Sequence, residues 1–101
     1  MKGNDILERY FYRMKPVLLE AVQLDGRNVQ DVLRLCGIDN VEIVWGGESN
    51  SYTQVKVKFA NEFHTAEIGD WLVPGVRGET YIFKDKTFNS YFQFDKVMHM
   101  F

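Results

Sequence analysis

A single cysteine, Cys36, is too few for an internal disulfide or a cysteine-based metal site, and it points to a reducing compartment. Cys36 falls within an apolar helical pattern, where a small buried hydrophobe is expected. A nucleophile there would need an activating base, and no neighbour in sequence supplies one. Histidine is nearly as scarce. His64 and His99 stand far apart, without the His/Asp/Glu spacing of a zinc or carboxylate site. Ser49, Ser51 and Ser90 lack a Gly-x-Ser-x-Gly elbow, and Gly69, Gly75 and Gly78 are not followed by the Lys-Ser/Thr of a phosphate loop. These absences leave no catalytic constellation, so neither an enzyme nor a cofactor is expected.

Positive charge is not in excess either. Twelve Lys and Arg stand against fourteen Asp and Glu, giving a formal charge of −2 and a pI near 5.6. No global field draws phosphate backbones or an anionic membrane to such a chain, and nucleic-acid binding is disfavoured. Lys56, Lys58, Arg77, Lys84 and Lys86 lie close in sequence, but solvated strand faces account for such residues more simply. Aromatics between Tyr81 and Lys96 alternate with lysines, yet core packing explains them better than base stacking. No apolar run approaches the roughly 20 residues of a membrane span. Asp5 and Glu8 interrupt any signal-like start, so an exported chain is not expected.

What is present fits one globular domain over residues 1–101: 46% hydrophobic, 26% charged and 15% aromatic residues, without repeats or low-complexity tracts. Residues 1–13 read as a helical or flexible lead-in, with Leu7, Tyr10, Phe11 and Met14 at roughly helical spacing. Pro16 breaks that pattern, and the apolar run from Val17 to Leu24 predicts a strand buried on both faces or central in the sheet. After Asp25-Gly26, Asn28 is the expected N-cap of an amphipathic helix. Val29, Val32, Leu33 and Cys36 form its stripe and Gly37 its end.

Strands are then predicted at Val41–Trp45, around Val55, Val57 and Phe59, at Phe63–Glu67, at Trp71–Val73, from Thr80 to Lys84, and from Phe88 to Phe94. About six short strands with one amphipathic helix predict an α+β domain, mostly antiparallel, built as a bent sheet or small β-barrel. The tail from Val97 to Phe101 is apolar; it is read as a core element, an edge strand or a homo-oligomer contact.

Two segments carry a family resemblance. Tyr12-Arg13-Met14-Lys15-Pro16-Val17-Leu18-Leu19-Glu20-Ala21-Val22-Gln23 and Gly69-Asp70-Trp71-Leu72-Val73-Pro74-Gly75-Val76-Arg77-Gly78-Glu79-Thr80-Tyr81 resemble, in order and spacing, the opening and closing segments of small phage and prophage proteins of unassigned function. After Tyr81 the chain departs from that pattern: Ile82-Phe83-Lys84-Asp85-Lys86 stands where the family has a cysteine and prolines. The resemblance implies a small protein made in an infected or lysogenic bacterium and acting in its cytoplasm. It implies no reaction.

Trp71, Arg77, Glu79 and Tyr81 are the candidate binding residues, because Trp, Tyr and Arg offer large contact areas with directed hydrogen bonds. Asp70 in the same stretch reads as a turn-capping residue. The expected function is non-enzymatic binding of a bacterial host protein, as in host takeover or inhibition of defence. Two alternatives remain: a small-ligand or nucleotide-binding module using the same four residues, and a minor virion or assembly component.

Overall fold

The computed structural model describes residues 8–12 and 18–95. Its central helix forms where the apolar spacing places it, as α1 (Val29–Cys36). Val32 and Cys36 are buried, with Val29 and Leu35 packed beside them. Gly37 ends the helix at φ 87°, and its amide donates to the Leu33 carbonyl at 2.8 Å. Glycine adopts that φ without the Cβ clash other residues suffer.

Asn28 holds the N-cap position but does not cap. Its Oδ1 accepts from the Tyr52 hydroxyl and from the Asp25 amide, while its Nδ2 donates to the Gln23 carbonyl at 2.8 Å. Asn28 therefore ties the start of α1 to two strands.

Six strands follow the chain order β1 (Val22–Gln23), β2 (Val41–Trp45), β3 (Tyr52–Phe59), β4 (Glu62–Glu67), β5 (Trp71–Pro74) and β6 (Thr80–Phe83). A 3₁₀ turn, Ile38–Asn40, leads into β2, and a second helix, α2 (Asp85–Tyr91), closes the described chain. The strands form two three-stranded antiparallel sheets, β1-β5-β6 and β2-β3-β4. The fold is α+β as expected, with bent sheets that do not close into a barrel among the described residues.

The core lies between the sheets and α1. Val22 and Leu72 come from the first sheet, Leu24 from the segment just after β1, and Val55, Val57 and Ala66 from the second sheet. The opposite face of the second sheet is wet, as the Gln54, Lys56, Lys58 alternation requires. There Glu42 pairs across from Lys56, and Gln54 donates to the Glu67 carboxylate at 3.0 Å.

Two expectations need correction. Of the strand expected over Val17–Leu24, the described residues form only Val22–Gln23, and Leu18 and Leu19 are 60% and 50% exposed; Val17 lies outside the described residues. Val22 and Leu24 are buried while Gln23 is exposed, so this segment has one buried face rather than two. Of the strand expected from Phe88 to Phe94, Phe88 to Tyr91 belong to α2 and Phe92 to Phe94 lie past its end in neither helix nor strand. Phe88 of α2 and Phe92 at its C-cap, an i, i+4 pair, stack at 4.7 Å and cover Phe83, so the spacing that suggests alternation serves one face of the helix and its end. Within the lead-in, Glu8 to Tyr12 form neither helix nor strand and are exposed, whereas Leu7, Arg13 and Met14 lie outside the described residues. The tail Val97–Phe101 also lies outside them.

Candidate interaction surface at the β5–β6 hairpin

Strand register decides which candidate residues meet. β5 and β6 pair Trp71 with Phe83 and Val73 with Tyr81, so these four side chains share the sheet face turned from Leu72. Pro74 pairs with Thr80, and residues 75–79 form the connecting loop. Trp71 thus lies at the far end of the hairpin from Arg77 and Glu79. The structure divides the four candidates instead of gathering them in one corner.

Trp71 belongs to the support of α2. Its ring stacks on Phe88, and its Nε1–H donates to Asp85 Oδ1 at 2.8 Å. The same carboxylate oxygen accepts from Gln23 Nε2 at 3.2 Å and from Asn89 Nδ2 at 2.9 Å. Next to it, buried Asp70 accepts from the Glu67 amide at 2.8 Å and from Lys84 Nζ at 3.1 Å. These contacts close the turn between β4 and β5 and fix the entry to α2.

Arg77, Glu79 and Tyr81 do come together, around Gly75. The Gly75 amide donates to the Glu79 carbonyl at 2.7 Å, and the Glu79 carboxylate accepts from the Arg77 amide at 3.4 Å. A Cβ at Gly75 would overlap the Glu79 carboxylate and approach Tyr81 Cε2 to 2.8 Å. Glycine is required here for close approach, not for an unusual φ. Gly78, at φ 88°, supplies the left-handed residue that turns the chain back.

This bracing sets Val76 at the tip, 99% exposed, with exposed Arg77 beside it. Among the described residues the Arg77 guanidinium has no carboxylate partner. Behind the tip, Tyr81 packs on Phe59 at 5.5 Å and Phe59 on His64 at 6.0 Å, an aromatic row linking the sheets. Sequence reasoning missed Val76. Its signal was an apolar residue between Pro74-Gly75 and Gly78, in a loop too short to bury it.

Val76, Arg77 and Gly78 at the tip all stand exposed. Two concavities lie elsewhere, one lined by Gln93, Phe94 and Asp95 and one by Arg27, Val29, Gln30, Trp45 and Asn50. Among the described residues no group of three or more His, Cys, Asp or Glu side chains is placed to hold a metal ion. None of the helices described is long and apolar enough to cross a membrane. Burial pushes the Cys36 thiol above its ordinary range, against a smaller opposing effect of a hydrogen bond with Thr80. Such a thiol is held protonated and is a poor nucleophile.

No family model matches the chain, and neither a curated protein nor a solved structure matches it.

Proposed function

We propose that this chain is a non-enzymatic, phage-encoded accessory protein that binds a bacterial host protein through the tip of the β5–β6 hairpin. The observation carrying this reading is Val76, almost wholly exposed beside Arg77 on a loop braced by Gly75 and Glu79. An apolar side chain held in water is a cost that binding removes, and a loop ordered in advance loses little entropy on docking. Arginine beside an apolar anchor, backed by Tyr81, has the composition of an interface hot spot. The resemblance of Tyr12–Gln23 and Gly69–Tyr81 to small phage proteins supplies the setting, the host cytoplasm.

The test is affinity capture from host lysate with the full chain and with Val76→Asp, Arg77→Glu and, on the wet face of the second sheet, Lys58→Ala. One protein retained in stoichiometric amount by wild type and Lys58→Ala, and lost by both tip variants, is the expected result. Recovery indifferent to the tip variants, or no recovery at all, would sink the reading.

A further inference from the structure

The two edges of the second sheet are unlike. β4 presents Glu62 and Glu67, charges that discourage another strand from pairing there. β2 reads Val41-Glu42-Ile43-Val44-Trp45, with Glu42 its single charge and no lysine or proline to guard it, and among the described residues no strand lies beyond it. Its apolar side chains are incompletely covered. Val41, Ile43 and Val44 are half-buried and Trp45 is 56% exposed, whereas Val55 and Val57 on the adjoining strand are fully buried.

Two further features flank this edge. A cleft of about 230 Å³ is lined by Arg27, Val29, Gln30, Trp45 and Asn50. Immediately before β2, the 3₁₀ turn exposes Ile38 to 73%, with exposed Asp39 next to it.

We propose that a second copy of this chain pairs antiparallel with the β2 edge, giving an isologous dimer with one continuous six-stranded sheet. A two-fold axis at Ile43 sets it against Ile43 of the partner subunit. Val41 then faces the partner's Trp45, and Glu42 faces the partner's Val44. No like charges stand directly opposite, which is what self-pairing demands. At β4 the same operation would set Glu62 against a second Glu67, so β2 is the edge that fits itself.

The pairing also accounts for the flanking features. Antiparallel direction carries the partner's Asp39 and the partner's Ile38 past Trp45, toward the cleft. The isoleucine suits Val29 and the indole of Trp45, and the carboxylate suits the Arg27 guanidinium. Arg27 now pairs with Glu48 at 3.2 Å, but these side chains are 66% and 78% exposed, so the bond is weakly held and readily exchanged. By symmetry each of these contacts occurs twice. The inference is independent of the hairpin-tip reading, since it uses neither Val76 nor Arg77.

The experiment is sedimentation velocity on the full chain from about 1 to about 100 μM, a range that spans typical weak homodimers. Wild type is expected to reach the mass of two 11.8 kDa chains. Asp39→Arg and Arg27→Glu, both at exposed positions, are each expected to weaken the dimer about tenfold or more by opposing like charges. The double variant, which restores opposite charges, is expected to return to within about threefold of wild type. Far-UV circular dichroism confirms that every variant is folded. A wild type that stays monomeric at the highest concentration overturns the proposal. So does a dimer indifferent to both single changes, or a double variant no tighter than either.

Discussion

Trp71 lies flat on Phe88, with ring centroids 4.0 Å apart and planes 4° from parallel. The pair joins a sheet strand to a seven-residue helix that has no side-chain N-cap and no buried residue of its own. A helix that short is unstable in isolation, so its persistence depends on this contact and its neighbours.

Phe88→Ala is therefore expected to cost about 2 kcal/mol, below a full core truncation because Phe88 is only half-buried. It is expected to release α2 while leaving the second sheet intact. Urea unfolding monitored by circular dichroism gives the cost. Native-state amide exchange shows whether protection is lost selectively over residues 85–91. Uniform loss across the domain would contradict the prediction.

Asp85 receives three side-chain donors, from Trp71, Gln23 and Asn89. Asp85→Ala removes the shared acceptor and an acidic residue from the first turn of α2, so a loss of about 1–2 kcal/mol is expected. Trp71→Phe keeps the stack but removes one donor and is expected to cost less. Thermal unfolding of the two variants side by side decides the order.

At Gly75 the expectation is coupling. Gly75→Ala thrusts a methyl into the Glu79 carboxylate and the Tyr81 ring, with an expected cost of about 1–2 kcal/mol. The carboxylate end is flexible, so Glu79→Ala in the same chain is expected to recover part of that loss. A double-mutant cycle by denaturant unfolding measures the interaction, and strict additivity would argue against the packing described.

Ala60 sits at φ 53° beside Asn61 at φ 67°, a two-residue hairpin turn in which both residues are left-handed. Alanine is strained there and glycine is not. Ala60→Gly is expected to stabilise the domain by about 0.5–1 kcal/mol, raising the melting temperature by a few degrees. Scanning calorimetry checks the sign.

Burial raises the Cys36 thiol above 9.0 and the Tyr52 phenol above 10.0, with weaker hydrogen-bond effects opposing it in both cases. A raised acid binds more protons folded than unfolded. Stability is therefore fully present below the unfolded pKa and declines as pH rises through the folded value. The decline is expected to begin near pH 9 with Cys36 and to steepen above pH 10 with Tyr52. Cys36→Ala is expected to flatten the first part and Tyr52→Phe the second, read from urea midpoints across the alkaline range.

Several elements were legible because only one structure suits their pattern. The spacing of Val29, Val32 and Cys36 has no strand reading, and the alternation of Val55, Val57 and Phe59 with lysines has no helical one. α2 failed for the opposite reason. Phe88 and Phe92 are separated by an even interval that is also one helical turn, and the polar bonds that select the helix, from Asn89 to Asp85 and from Ser90 to Lys86, are visible only in three dimensions. β1 is shorter than its apolar run because hydrophobicity alone does not say where a neighbouring strand ends. Its partner β5 pairs only Leu72 and Trp71 with it. The candidate residues divided for a related reason: nearness in sequence across a hairpin does not distinguish its base from its tip, and register does.

The pairing of Val22 with Leu72 also orders events in time. β2, β3 and β4 are consecutive and joined by short turns, so the second sheet needs only local encounters. β1 emerges first from the ribosome, yet its partner strand emerges only after that entire sheet has been made. Until then Val22 and Leu24 have α1 and the second sheet to pack against but lack Leu72, and the nascent chain carries a half-finished core whose completion waits on one long-range closure.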